Sequence, residues 1–196
     1  MTRAEKMQAG RLPGAPYRID GETIVLREVR VEDADGPYTE WMNDDEIVCF
    51  TESRHTSHSR DAIAAYIAAR AESPDDLFLA ITARNDGAHI GNIKIGPIDW
   101  RNRIGDLGLI VGNRRYWGRG IATEAIALIT QYAFETVGLH KVTAGCYTPN
   151  RAAIRAFEKA GYSQEGVLRA HWLLDGLWTD IVMLGILNPA ENRNGA

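Results

Sequence analysis

Residues 115–120 have the residue types and the spacing of an anion-binding loop. They read Arg-Tyr-Trp-Gly-Arg-Gly, follow an apolar run at 107–111 and precede a helical pattern that begins near Ile121. Gly118 and Gly120 let the backbone approach a ligand closely and take φ angles that other residues resist. The first N–H groups of the following helix have no intrahelical partner and lie at the positive end of its dipole, so they point at an anion. The stretch therefore predicts a cradle for a pyrophosphate.

The arginines near this loop stand out because the whole chain has a net charge of −4. Five of them fall within nineteen positions: Arg101, Arg103, Arg114, Arg115 and Arg119. In an acidic protein, this local excess indicates one anionic ligand rather than a polyanion. The overall charge gives no sign of a nucleic acid or a membrane surface as a partner.

The length of 196 residues suits one domain. We expect that domain at 17–188, between a flexible N-terminal arm at 1–16 and a flexible tail at 189–196. Cys49 and Cys146 are far apart and lack a C-x-x-C spacing, and no segment resembles a signal peptide or a membrane span. These features predict a cytoplasmic protein without disulfides.

The periodicity of apolar residues predicts a mixed α/β sheet with antiparallel hairpins and one βαβ crossover around the glycine loop. Strands are predicted at 23–29, 77–83, 89–98, 104–111, 141–147, 164–174 and 179–187. Helices are predicted at 31–42, 59–71, 121–137 and 151–160. Asn-Asp-Gly at 85–87 and Asp-Gly at 175–176 indicate hairpin turns.

Two further classes of site are disfavoured by the sequence. A P-loop ends in Gly-Lys-Ser/Thr, which is absent from the glycine loop of this chain. A dinucleotide-binding fold needs a third glycine, and this chain has Thr123 at that position. Cys49, Glu52, His55 and His58 lie near one another in sequence. Their spacing is not a standard zinc pattern, so we expect no metal.

Three features together resemble the GNAT superfamily of N-acetyltransferases. They are the glycine loop between a strand and a helix, Asn150 at the start of the next helix, and Phe-Glu-Lys-Ala-Gly-Tyr at 157–162. The segment W-x-N-D-x-E at 41–46 and the G-x-x-x-D spacing of Gly176 and Asp180 resemble the RimJ/RimL branch, which acetylates ribosomal-protein N-termini. The resemblance covers about 23–187. It implies a GNAT-like fold of about seven mostly antiparallel strands, about four helices and a central βαβ coenzyme A-binding unit.

The resemblance implies acetyl-CoA as the co-substrate. Backbone amides from Arg115 to Ala122 would hold the pyrophosphate, and backbone groups at 109–111 would pair with the pantetheine arm, which Asn150 would also contact. The thioester would then lie between the strands at 104–111 and 141–147, which splay apart in this family, where an N–H can polarise its carbonyl. The implied cofactor-binding residues are Leu109, Ile110, Val111, Arg115, Trp117, Gly118, Arg119, Gly120, Ile121, Ala122, Asn150 and Phe157.

The chain departs from the family at the proton donor. Many members have a tyrosine seven residues after the asparagine, where this chain has Phe157, and Rim-type members have a serine three residues after it, where this chain has Ala153. A thiol with a pKa near 8.5 is a fair leaving group, so activity can survive this loss. The alternative is a non-catalytic module that binds acyl-CoA.

The acceptor amine must be neutral to attack. An α-amino group has a pKa of about 7.7–8.0 and a lysine about 10.4, so a general base helps, typically by about 10²–10⁴-fold. Asp106 is the first candidate base and Glu46 the second, with His171 and Asp175 as possible contacts of the acceptor. A protein N-terminus, an amino sugar and a small amine all remain open as acceptors, as do a monomer and a homodimer.

Overall fold

A computed structural model describes residues 12, 14 and 17–191 of the chain. Within these residues it has eight strands: β1 Arg18–Asp20, β2 Ile24–Glu28, β3 Leu77–Ala83, β4 His89–Asp99, β5 Ile104–Val111, β6 Lys141–Tyr147, β7 Ser163–Leu174 and β8 Leu177–Leu187. Its α-helices are α1 Tyr38–Met42, α2 Asp45–Val48, α3 Arg60–Glu72, α4 Ile121–Tyr132 and α5 Arg151–Lys159. Short 3₁₀ turns lie at Val31–Asp35, Glu52–His55 and Arg114–Tyr116, and a π turn at Ala133–Val137.

The strands form one sheet in the order β1-β2-β3-β4-β5-β6-β8-β7. Every neighbouring pair is antiparallel except β5 and β6. These two pair in parallel over three residues, from Ile104 with Lys141 to Asp106 with Thr143, and no further. The predicted mixed sheet and its central βαβ unit are confirmed. Beyond Asp106 the two strands are no longer paired, and we call the space between their unpaired parts the cleft.

Buried apolar residues form two clusters, one on each face of the sheet. Ile126 and Ile129 of α4 belong to the cluster that includes Leu107 of β5. Trp41 of α1 belongs to the other cluster, against which Ile110 of β5 packs. Because side chains alternate along a strand, the even-numbered residues of β5 face the side of the sheet that carries α1 and α3.

The structure corrects several predicted elements. The helix predicted at 31–42 is two pieces, because Gly36 is extended and Pro37, which has no N–H, begins α1. The segment 43–58, for which no helix or strand was predicted, contains α2 and the turn Glu52–His55. These pieces have four residues each, too few to show a helical period. The helix predicted at 121–137 is α-helical only as far as Tyr132. The structure also adds the short edge strand β1.

The ends of the chain were predicted as a flexible arm at 1–16 and a flexible tail at 189–196. They lie outside the described residues, apart from 12, 14 and 189–191. Among the described helices, none is both long enough and apolar enough to cross a membrane.

Candidate active site

The glycine loop joins the end of β5 to α4 and leaves the start of that helix open. The side chain of Asn113 accepts a bond from the Arg115 N–H at 3.1 Å, which begins the turn. Gly118 and Gly120 have φ angles of +72° and +83°, so both need glycine. Gly120 is the N-cap residue of α4 and provides no side chain to bond the first N–H groups. A Cβ placed on either glycine meets nothing within 4 Å. The residues present therefore fit an anion such as a pyrophosphate.

Aromatic and arginine side chains at the edge of this loop make contacts that stabilise its conformation. The indole N–H of Trp117 donates to the Val111 carbonyl at 2.6 Å, which folds the loop back on the end of β5. The guanidinium of Arg119 lies 6.0 Å from the ring centroid of Tyr116. Arg115, Trp117 and Arg119 are all exposed, as a contact with a bound phosphate requires.

The edge of β5 that faces the cleft is open from residue 107 onward. On its other side β5 pairs with β4, where Leu109, Ile110 and Val111 lie opposite Ile93, Asn92 and Gly91. On the cleft side, pairing with β6 has already ended at Asp106. An extended amide-containing arm could add to this edge as a further strand does.

Asn150 caps α5 and is also free to bond a ligand. Its Oδ1 accepts the Ala153 N–H at 3.2 Å, which leaves Nδ2 without a partner among the described residues. Phe157 is 2% exposed, and its ring lies 5.0 Å from that of Tyr162. The nearby Tyr162 hydroxyl is buried against Thr130 at 2.8 Å. A contact between Phe157 and the cofactor stays a prediction.

Asp106 lies where the cleft begins. It is the last residue of β5 that pairs with β6, and the Thr143 hydroxyl lies 3.2 Å from its carboxylate. The side chain opens to solvent on the cleft side, yet burial among its neighbours raises its pKa. The bond from Thr143 and the charge of Lys94 oppose that shift without cancelling it. A carboxylate with a raised pKa is a stronger proton acceptor, so the position and the environment both suit a general base.

Glu46 has a different environment. It lies in α2, not in a loop, and its Oε2 is 2.8 Å from Nη2 of Arg114. The same Nη2 bonds both oxygens of Asp44, at 2.6 and 2.8 Å. The ion pair ties α2 to the turn that precedes the glycine loop.

The sequence did not single out several residues around the cleft: Lys94, Gly108, Thr143, Gly145, Tyr147 and Trp172. The period of two along β6 was the available signal, since Thr143, Gly145 and Tyr147 must share the face that carries Asp106. Two other residues near the cleft are buried in the core. Trp41 packs against Gly112, and burial raises the pKa of the Cys146 thiol to about 12. Among the described residues, no three His, Cys, Asp or Glu side chains group as metal ligands would.

Known proteins resemble this chain over most of its length. The family model described as acetyltransferase (GNAT) domain matches residues 23–163. The Bacillus subtilis (strain 168) protein named probable N-acetyltransferase YjcK is 30% identical over 184 residues, which cover 89% of this chain and 99% of that protein. Spermidine N(1)-acetyltransferase of Escherichia coli (strain K12) is 28% identical over 101 residues, 52% of this chain and 54% of that protein.

Among solved structures, Mycobacterium smegmatis RimJ in complex with CoA-disulfide superposes with a TM-score of 0.73. It is 25% identical and covers 93% of this chain and 88% of its own. The fold, the open helix start and the matched sequence family agree, and the resemblance drawn from the glycine loop and Asn150 is confirmed. The chain belongs to the GNAT family of N-acetyltransferases, among relatives that include RimJ.

Proposed function

We propose that this protein transfers the acetyl group of acetyl-CoA to a primary amine by direct attack in a ternary complex. One observation carries the proposal: β5 and β6 separate directly beyond Asp106, a carboxylate whose pKa is raised, at the foot of a cleft that leads to the open start of α4. In this arrangement the pyrophosphate of the donor would lie beyond the end of β5, its pantetheine arm along residues 109–111, and the base near the start of the strand.

The donor half of the site is made of backbone. The N–H groups from Arg115 to Ala122 would hold the pyrophosphate, with Gly118 and Gly120 allowing its close approach. The free edge at 109–111 and Nδ2 of Asn150 would hold the pantetheine arm. Trp117 and Arg119 would line the rim, Ile121 would contribute through the first turn of α4, and Phe157 would pack nearby. No metal takes part in this proposal.

The chemical step needs one proton acceptor from the chain. Acetyl-CoA supplies an activated acetyl group. The amine nitrogen bonds to the acetyl carbonyl carbon, the carbon–sulfur bond breaks, and its electron pair leaves on sulfur. Asp106 takes the proton that the amine loses, directly or through a water. Because Phe157 and Ala153 cannot donate a proton, water returns one to the thiolate.

The relatives support an amine acceptor without choosing one. Their names include a spermidine acetyltransferase, and the RimJ structure contains CoA-disulfide. A protein N-terminus, an amino sugar and a small amine therefore stay as candidates. We also propose that the protein works in the cytoplasm, because both cysteines are free, which suits a reducing compartment.

The test is release of free thiol from acetyl-CoA in the presence of peptides, amino sugars and small amines. We expect thiol release that depends on the amine and one acetylated product per thiol. Binding of acetyl-CoA without thiol release for any amine would favour the non-catalytic module instead.

A further inference from the structure

Each of β5 and β6 has a glycine two residues beyond its last paired residue. Gly108 follows Asp106 by two residues, and Gly145 follows Thr143 by two, so both belong to the face on which Asp106 and Thr143 touch. A Cβ on Gly108 would meet nothing within 4 Å. A Cβ on Gly145 would meet its nearest atom, from Ile181, at 3.4 Å, which is ordinary contact. Neither strand therefore places a side chain on this face of the cleft at these positions, and we call the space between Gly108 and Gly145 the opening.

One side of this opening is an indole. The Cη2 atom of Trp172 lies 3.7 Å from the Cβ position of Gly145. Trp172 reaches this place because the β7–β8 ladder is irregular between Leu168 and Trp172, and Ala170 there has a φ of +46°. The Ala170 N–H bonds Oδ1 of Asp180 at 2.8 Å instead of continuing the ladder. Such a bulge redirects the side chains that follow it.

A second layer holds the indole in position. The ring of Tyr147 lies 5.1 Å from that of Trp172, and its hydroxyl donates to Glu52. Arg54 donates to the same hydroxyl at 2.8 Å and to the Leu173 carbonyl. The side chain of Arg54 is only 10% exposed. This network joins the turn Glu52–His55, the end of β6 and the β7–β8 hairpin around one tyrosine.

We infer that the acceptor amine reaches the thioester through the opening between Gly108 and Gly145, and that Trp172 contacts the carbon skeleton of the acceptor and selects it. The inference rests on the proposed function, which it extends to the acceptor. Because the indole offers a flat apolar surface, it would pack against the carbon skeleton that carries the primary amine of the acceptor. The amine would arrive beside Asp106, at the foot of the opening. Tyr147 and Arg54 are positioning residues.

Gly108→Val tests the route, with Gly166→Val as the matched control. Gly166 also lies in a strand, and a Cβ there also meets nothing within 4 Å. Valine favours strand conformation, so both variants should fold. For Gly108→Val we expect kcat/KM for the amine to fall by roughly 10²-fold, as misplacement of a reactant does, with the Kd for acetyl-CoA unchanged. Normal amine turnover, or loss of acetyl-CoA binding, would overturn the route while wild-type thiol release upheld the proposed function.

Trp172→Ala tests selection, with Trp172→Phe as the conservative variant and Trp178→Ala as the control. Trp178 lies in the same hairpin and is 68% exposed. The probes are n-butylamine, phenethylamine, an alanine-headed tripeptide and glucosamine. For Trp172→Ala we expect the KM of the apolar amines to rise about 10-fold, equivalent to ~1.4 kcal/mol, with partial recovery in Trp172→Phe. The best acceptor among the four probes distinguishes a small amine, a protein N-terminus and an amino sugar. An unchanged KM, or an equal effect of Trp178→Ala, would overturn the assignment of Trp172.

Discussion

The proposed donor half and the proposed acceptor half of the cleft are built from different parts of the polypeptide. The donor half is backbone: the loop at 115–120, the first turn of α4 and the free edge of β5. The acceptor half is made of side chains from α2, the turn Glu52–His55 and the β7–β8 hairpin. The first is continuous in sequence, and the second is assembled from segments far apart.

Because one half is built from backbone and the other from side chains, we expect amino-acid substitutions to affect them differently. A backbone site depends on dihedral angles and on the absence of side chains, so a few glycines determine it. A side-chain site depends on contacts such as Arg54 with Tyr147, which are 93 residues apart. The donor half should therefore be sensitive at single glycines. In the acceptor half, changes should alter which amine is used before they alter folding.

Gly120→Val should have the largest effect, because it removes the donor half alone. At a φ of +83° a β-branched residue is strained, and its side chain would fill the cradle. We expect no detectable binding of acetyl-CoA. At 100 times Kd the ligand stabilises the wild type by about 2.7 kcal/mol, so the missing rise in Tm is easily measured. Gly138→Val is the control, since Gly138 has a φ of +81° and lies outside the loop. A retained shift in Gly120→Val would refute the cradle.

Asp106→Asn should have the next largest effect and should leave acetyl-CoA binding intact. The loss of a general base typically costs about 10²–10⁴-fold in turnover. The loss should grow as the pH falls below the pKa of the amine, where the amine is mostly protonated and needs a base, until Asp106 itself binds a proton. Glu46→Gln is the matched control, because that carboxylate pairs with Arg114 and is expected to leave the pH–rate profile unchanged. If Asp106→Asn kept the wild-type profile, Asp106 would not be the base.

Arg114→Gln tests whether the two halves are coupled. Arg114 lies in the turn before the glycine loop and bonds Asp44 and Glu46 on the acceptor side. Exposed ion pairs contribute ~0.2–1 kcal/mol, so we expect both KM values, for acetyl-CoA and for the amine, to rise by about two- to fivefold. Arg101→Gln removes the same charge outside this contact and should change neither. A change in one KM alone would show that the halves are independent.

The sequence predicted the parts of the fold that have a clear period and clear ends. The strands at 77–83, 104–111 and 141–147 were predicted with the bounds that the structure has. Each is a run of apolar or β-branched residues with Gly, Pro, Asn or Asp nearby. The break at Gly36 and the short helix α2 were missed because a few residues cannot display a helical period.

The same reasoning explains which features of the candidate site were predicted from the sequence and which were missed. The turn at the glycine loop and the Asn150 cap were predicted because both depend on local backbone geometry, which residue types reveal. The network around Tyr147 was missed because no local pattern brings it together with Glu52, 95 residues away. Asp106 lies between these cases. Its strand was predictable, but its place at the start of the cleft depends on where pairing with β6 ends.

The smallest expected effect is on the thermal stability of Asp106→Asn. It tests the protonation of Asp106 in the folded protein without relying on catalysis. The pKa of Asp106 is raised in the folded state by burial, above the value near 3.9 expected when unfolded. Between these two values the folded state binds more protons than the unfolded state, so stability falls as pH rises. Asparagine can still accept the Thr143 bond and carries no charge. The Tm of Asp106→Asn should therefore exceed that of the wild type at pH 7.

This difference should shrink as the pH falls towards about 4, because the wild-type carboxylate then becomes neutral as well. Solvent on the cleft side screens the charge, so we expect a gap of only one or two degrees at pH 7, given ~2–4 °C per kcal/mol for a chain of this size. Thermal melts of both proteins at several pH values measure it. Gly120→Val has no titratable change and should run parallel to the wild type. A wild type more stable than Asp106→Asn at neutral pH would mean that the folded protein favours the ionised carboxylate, which would then be a poorer base.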